Sequence, residues 1–187
     1  MLFRSFLYAA ALPGRRHQEV DGETAYRRGL MAIREAAGDA YLLVCGAPIM
    51  ASLGLADGIR VGTDVAPYWD NSGYTQYLYD YSFPSTLNAI RLCLGRLWLM
   101  PVINLDPDVV FFRRRYNLMS DKEKGYLKDL AVITGFRATS DQPGWLDADE
   151  QTELVHFLQD DPPVERISRY VFRIGRREVD FGFINGL

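Results

Sequence analysis

Polar and charged side chains in this sequence gather immediately after short apolar runs. The run at 41–45 leads into Cys45-Gly46-Ala47-Pro48, and the run at 58–62 contains Arg60 and leads into Asp64. The run at 98–103 leads into Asn104, Asp106 and Asp108, and 136–139 leads into Ser140-Asp141. Asp64 stands close to an aromatic pair, Tyr68-Trp69. That combination suits a sugar site: the rings stack on a pyranose face and the acid donates a proton. Burial against such rings raises a carboxyl pKa, as general-acid work at neutral pH requires. Plainer readings stay open beside these. Asp64 can cap the loop that follows, and Asp106-Pro107-Asp108 has the composition of a turn. Cys45 suits a small buried hydrophobe, and Tyr77-Leu-Tyr79-Asp-Tyr81 suits loop packing. His17 and His156 have no partner at ligand spacing, so no metal site is expected, and no Gly-rich phosphate loop is present.

The elements that would position these residues alternate between helix and strand. Tyr26, Leu30, Ile33 and Ala37 form one apolar stripe over 24–37, and Gly38 stops that helix. The unalternating run 41–45 reads as a strand covered on both faces, with a second extended piece at 58–62. Residues 85–97 are helical in pattern, with Leu87, Ile90, Leu94 and Leu97 on one side. The next strand is expected at 98–103, against the resistance of Pro101. Ser120-Asp-Lys-Glu123 is a capping box for a helix to about Ile133. A brief extended stretch at 136–139 and a helix over 148–158 follow. After Asp161-Pro-Pro163 the period changes: Tyr170, Phe172 and Ile174, then Val179, Phe181 and Phe183, alternate as in a hairpin with one buried face. At the start, Phe6 to Leu12 before Pro13-Gly14 reads as a buried strand. A signal peptide is its rival, with a minimal apolar core and a single Arg. Strand–helix units with covered strands indicate a parallel α/β arrangement, in which sites form at the carboxyl ends of strands. Composition does not choose between an open doubly wound sheet and part of a barrel.

The chain has 187 residues, 48% hydrophobic and 24% charged, with a formal net charge of -3. These values fit a globular chain and exclude disorder. The pI near 5.4, and the lack of a basic block longer than Arg113-Arg114-Arg115, argue against nucleic acid. That triplet is expected to be a solvated loop. No apolar stretch reaches the ~20 residues that cross a bilayer, so no membrane partner is expected. Two cysteines and two histidines build neither a disulfide framework nor a structural zinc site. A reduced, cytoplasmic setting follows.

Four ordered blocks carry a family resemblance. They are Phe6-Leu-Tyr-Ala-Ala-Ala-Leu-Pro-Gly14, Leu43-Val-Cys-Gly-Ala-Pro-Ile49, Gly54 to Trp69 (GLADGIRVGTDVAPYW) and Asn104-Leu-Asp-Pro-Asp-Val-Val-Phe-Phe-Arg113. Together they closely resemble the melibiase-type α-galactosidases, retaining glycoside hydrolases of family 36 in clan D. The resemblance implies an α/β fold: a partial (β/α)8 TIM barrel, about strands 4–8, over residues 1–160, then the beginning of a C-terminal β-sandwich domain over 161–187. It implies hydrolysis of terminal α-D-galactosyl residues without a cofactor. Asp64 then stands at the catalytic acid/base, and Arg60 at a residue that binds sugar and orients the carboxylates. Cys45 and Gly46 fall in the loop lining the galactose pocket, and Trp69 joins them in substrate binding. Asn104, Asp106 and Asp108 fall at the seventh strand's end as supporting residues.

One departure matters chemically. The family's nucleophile lies in a Lys-x-Asp-Phe motif directly before the Leu-Tyr-Ala block, and here those positions read Phe3-Arg4-Ser5-Phe6. A retaining glycosidase needs two carboxyl groups about 5–5.5 Å apart. Ser5 offers an unactivated hydroxyl with no base next to it in sequence. The expectation is a truncated, inactive form with α-galactosides as ligands. Its alternatives are a non-catalytic sugar-binding or interaction protein, and one half of a split α-galactosidase whose N-terminal half-barrel comes from another chain. Self-association is a further expectation, because open strand edges invite pairing. The preferred galactoside, and hydrolysis against transglycosylation, stay open.

Overall fold

Asp21 accepts the Thr24 amide at 2.8 Å through its side chain, and this cap starts the first helix among the described residues. In the computed structural model, which describes residues 2–3, 19–70 and 83–186, the chain forms two units. They are Met1–Val61 with Trp98–Asp106, and Gly62–Leu97 with Pro107–Leu187.

The first unit is built on four short strands, β1 (Leu2–Phe3), β2 (Leu43–Val44), β3 (Gly58–Arg60) and β4 (Asn104–Asp106). They pair in the order β1-β2-β3-β4, every pair parallel. Leu43, Val44, Ile59 and Leu105 are all buried, which is why adjacent strand positions are apolar rather than alternating. Helix α1 (Gly22–Ala37) buries Tyr26 and Leu30 and ends at Gly38 with φ 55, a value glycine adopts without steric cost. The Tyr26 hydroxyl meets Ser52 Oγ at 3.0 Å in the short helix α2 (Ile49–Ser52). Arg27 Nη1 donates to Ala51 O at 2.9 Å.

The second unit holds α3 (Thr86–Arg96), α4 (Asp121–Thr134) and α5 (Ala148–Gln159). Ser120 with Glu123, and Asp147 with Glu150, form complete capping boxes, so both helix starts are legible in sequence. Strands β5 (Val164–Arg166), β6 (Val171–Ile174) and β7 (Arg177–Asp180) make an antiparallel sheet. Its apolar face consists of Phe172, Ile174 and Val179, continued by Phe181, all buried. Arg177 Nη1 donates to Asp129 Oδ2 at 2.9 Å, tying β7 to α4.

The helices and the hairpin agree with the sequence reading, and three details are corrected. Residues 98–103 are not a strand: Leu97–Leu99 is a 3-10 turn and β4 begins at Asn104. Pro101 lacks an amide for a ladder, and Trp98 and Val102 are exposed while Leu99 and Ile103 are buried. The stretch 136–139 contributes a single parallel bridge, Val110 to Thr139. Arg113 is buried at 7% exposure, paired with Asp141; only Arg114 and Arg115 of that triplet are exposed. β5 escaped the sequence reading because its three residues are exposed; besides the backbone ladder, Glu165 accepts from Arg173 Nη1 of β6 at 2.7 Å. The proposed strand at Phe6 to Leu12 lies outside the described residues. Among the described residues no helix is long and apolar enough to cross a membrane.

Asp57 latches the entrance to β2 and β3: its carboxylate accepts the Leu42 amide at 2.6 Å and pairs with the Arg34 guanidinium. The Leu42 amide first, and Arg34 after it, hold this carboxyl below the usual carboxylate range. A depressed carboxyl stabilises the fold fully above its unfolded value of about 3.9 and loses that effect as pH falls through the lower folded value. Asp57→Asn is therefore expected to flatten the acid limb of the stability curve below pH ~4. At neutral pH it is expected to cost about 1 kcal/mol, read by urea unfolding across a pH series.

Candidate functional site

In the first unit, the parallel register aligns the carboxyl ends of three strands. Val44 is opposite Ile59, and Arg60 is opposite Asp106. Cys45 and Gly46 follow β2 directly, Cys45 half-buried and Gly46 at φ 64, a left-handed turn position. Arg60 closes β3 and Asp106 closes β4. Arg60 Nε donates to Asp106 Oδ2 at 3.0 Å, with the two side chains only 13% and 2% exposed. Removing a carboxylate from water is costly unless a cation and hydrogen bonds meet it. The pairing through Nε also restricts how the guanidinium fork can turn, giving a cation of set direction at the sheet's carboxyl edge. Such a group can bind sugar hydroxyls or hold a carboxylate in its ionised form.

In the second unit, Asp64 lies in a segment whose backbone is anchored almost residue by residue. Gly62 passes close to α3: a Cβ there would sit 3.2 Å from the Ala89 carbonyl oxygen. The Val65 amide donates to Asp108 Oδ2 at 2.7 Å. The carbonyl of Ala66 accepts the Thr86 hydroxyl at 2.8 Å, and that of Pro67 accepts the Leu118 amide at 2.8 Å. The carbonyls of Tyr68 and Trp69 accept the Thr86 and Leu87 amides at 3.2 and 2.9 Å. The Asp64 residue itself is exposed.

Its aromatic neighbours do not bury it, contrary to expectation. The Tyr68 hydroxyl donates to Pro84 O at 3.0 Å, and the Trp69 ring packs on Phe183 and Tyr126 with centroids 5.6 and 6.4 Å away. Aromatic rings in a sequence can as well be satisfied by other rings as by a ligand. Asn104 is also displaced from its expected position. It opens β4 rather than following the strand's end, is exposed, and donates from Nδ2 to Asp57 O at 2.8 Å. Asp141 accepts the Phe112 amide at 2.6 Å and pairs with Arg113, a structural role that spacing does not reveal. Asp108 makes its bond to Val65 across 43 positions of sequence, beyond what local reading of a turn-like Asp-Pro-Asp can detect. Ser5 lies outside the described residues.

No family model matches the sequence. Two solved structures of the α-galactosidase of Thermus thermophilus do. One, in complex with p-nitrophenyl α-D-galactopyranoside, is 52% identical with a TM-score of 0.89 over 98% of this chain. This chain belongs to the melibiase-type α-galactosidases of glycoside hydrolase family 36. The second structure, in complex with stachyose, is 54% identical with a TM-score of 0.76 over 84% of the chain. The alignments cover 37% and 33% of those two chains. The present chain thus spans little more than a third of the length of the α-galactosidase chains it matches, which fits a C-terminal part.

Asp106→Ala is expected to cost about 3–5 kcal/mol by removing the buried carboxylate that pairs with Arg60, measured by denaturant unfolding. The double change Arg60→Met with Asp106→Leu is expected to cost less than Asp106→Ala alone. Gly62→Val places a branched side chain against the Ala89 carbonyl and is expected to cost about 1–3 kcal/mol in the same assay.

Proposed function

We propose that residues 1–160 form about strands 4–8 of a melibiase-type (β/α)8 catalytic barrel and that 161–187 begin its C-terminal β domain. Its site acts on terminal α-linked galactose. The observation that carries this reading is 52% identity across 98% of the chain to an α-galactosidase structure holding an α-galactoside. In this reading Asp64 protonates the glycosidic oxygen as the bond breaks, then deprotonates the water that releases the sugar. Arg60, set by Asp106, binds the sugar and favours the ionised form of neighbouring carboxylates. Cys45 and Gly46 line the pocket, and Trp69 contributes the ring surface that Phe183 and Tyr126 leave uncovered. Asn104 supports the site from the opposite end of β4. No cofactor takes part, and a reduced, cytoplasmic setting suits Cys45 and Cys93, which are both thiols.

Retention requires a second carboxylate to attack the anomeric carbon, and Ser5 holds that position in the matching block. A polypeptide of these 187 residues therefore carries a proton donor without its attacking partner. In this reading the polypeptide by itself recognises galactose and does not turn it over; in the alternative of a split α-galactosidase, a half-barrel from another chain bearing the family's Lys-x-Asp-Phe motif supplies the nucleophile. Ser5 also favours a second reading, a sugar-binding protein with no catalytic partner.

Purified polypeptide is expected to release no nitrophenol from p-nitrophenyl α-D-galactopyranoside while galactose raises its melting temperature. Adding a half-barrel that carries Lys-x-Asp-Phe is expected to produce turnover under the first reading and none under the second. Asp64→Asn should then lower hydrolysis of galactosides with alkoxide leaving groups by about 10²–10⁴-fold. The loss should be smaller with nitrophenyl galactoside, whose leaving group departs without a proton. Turnover by the polypeptide alone overturns the assignment at Ser5, and absence of galactose stabilisation counts against both readings.

A further inference from the structure

We propose that Asp108 is the positioning residue of the acid/base: its carboxylate clamps the peptide that follows Asp64 and so fixes where the Asp64 side chain starts from. The inference rests on the reading of Asp64 as acid/base and adds the device that aims it.

Three observations carry it. The first is burial: Asp108 is 6% exposed, so its carboxylate needs committed donors. The second is the bond, 2.7 Å from the Val65 amide to Oδ2. A charge-assisted bond of this kind is stronger than one between neutral groups. The third is backbone conformation. Asp108 has φ 78, and among the described residues only Tyr116 is another non-glycine at positive φ. Asp and Asn are the non-glycine types that tolerate this region best, and strain of this kind persists where the surroundings over-determine it, often at functional sites. An ordinary turn carboxylate would bond its own neighbours; this one reaches 43 positions back.

The neighbouring anchors show why this bond matters more than others in the segment. The carbonyls of residues 66–69 are all held, and Gly62 is confined by Ala89. Thr63 and Asp64 lie between Gly62 and the Val65 amide, so the Asp108 bond restrains one end of the peptide that carries Asp64. Releasing Val65 removes that restraint, and a misplacement of about 1 Å in a reacting group costs about 10²-fold in rate. Asp108 touches no substrate in this scheme; it acts through the 64–65 peptide.

The test compares Asp108→Gly, which keeps the left-handed backbone and deletes the acceptor, with Asp108→Asn, which keeps both. Amide exchange by NMR on the full chain reads the clamp at Val65 and the general stability at Leu130, fully buried in α4. Asp108→Gly is expected to speed Val65 exchange about fivefold to tenfold, as loss of one net hydrogen bond does. Asp108→Asn should stay within about twofold, and Leu130, which opens with the fold as a whole, should speed in Asp108→Gly by no more than Val65 does. Galactose should move the Asp64 carboxyl carbon resonance in the unsubstituted chain and in Asp108→Asn, and much less in Asp108→Gly. Unchanged Val65 exchange in Asp108→Gly overturns the proposal, as does an Asp64 response to galactose in Asp108→Gly equal to that of the unsubstituted chain. If Asp108→Gly does not fold, Asp108→Asn decides: its weaker, neutral acceptor must shift the Val65 amide proton upfield, and an unmoved resonance overturns the clamp. A galactose-silent Asp64 in the unsubstituted chain overturns the α-galactoside reading instead, and Val65 exchange then judges the clamp by itself.

Discussion

A carboxylate taken out of water must be met by donors, and the Asp106-Pro107-Asp108 triplet imposes that requirement twice within three residues. Asp106 meets it with the Arg60 guanidinium and Asp108 with the Val65 amide. Pro107 favours extended backbone in the residue before it, which suits Asp106 at the end of β4. The two carboxylates differ in what they hold, since Asp106 sets a side chain and Asp108 sets a backbone. Each bond meets a buried carboxylate with a donor, so each contributes to stability as well as to the placement of the group it holds.

Asp64 is exposed, while the backbone on either side of it is held. Here a close approach of Gly62 to α3 and a run of bonded carbonyls at residues 66–69 provide that frame. Trp69 belongs to the same frame, because its ring is locked against Phe183 and Tyr126. An aromatic residue beside an exposed acid can thus anchor the loop that carries the acid.

The two ends of β4 carry different polar contacts. At the carboxyl end Asp106 sits beside Arg60; at the amino end Asn104 bonds the Asp57 carbonyl. Asp57 in turn latches Leu42 and Arg34. Polar residues two positions apart on one strand therefore have different partners, and grouping them by proximity in sequence conceals this.

Several features were decided by local sequence alone. The capping boxes at Ser120 and Asp147, the glycine stop at Gly38 and the apolar stripe of α1 depend on neighbours within one helical turn, so they survive any change of context. The alternation through Phe172, Ile174, Val179 and Phe181 announced a half-buried hairpin for the same reason. The blocks around Cys45 and Asp64 named the family, since identities in order need no coordinates. What spacing could not reveal are bonds closed over long stretches of chain: Arg60 with Asp106, Asp108 with Val65, Arg113 with Asp141, Trp69 with Phe183. A carboxylate, a guanidinium or an indole looks the same in sequence whether it meets solvent, ligand or a distant partner, and only the folded chain brings that partner within bonding distance.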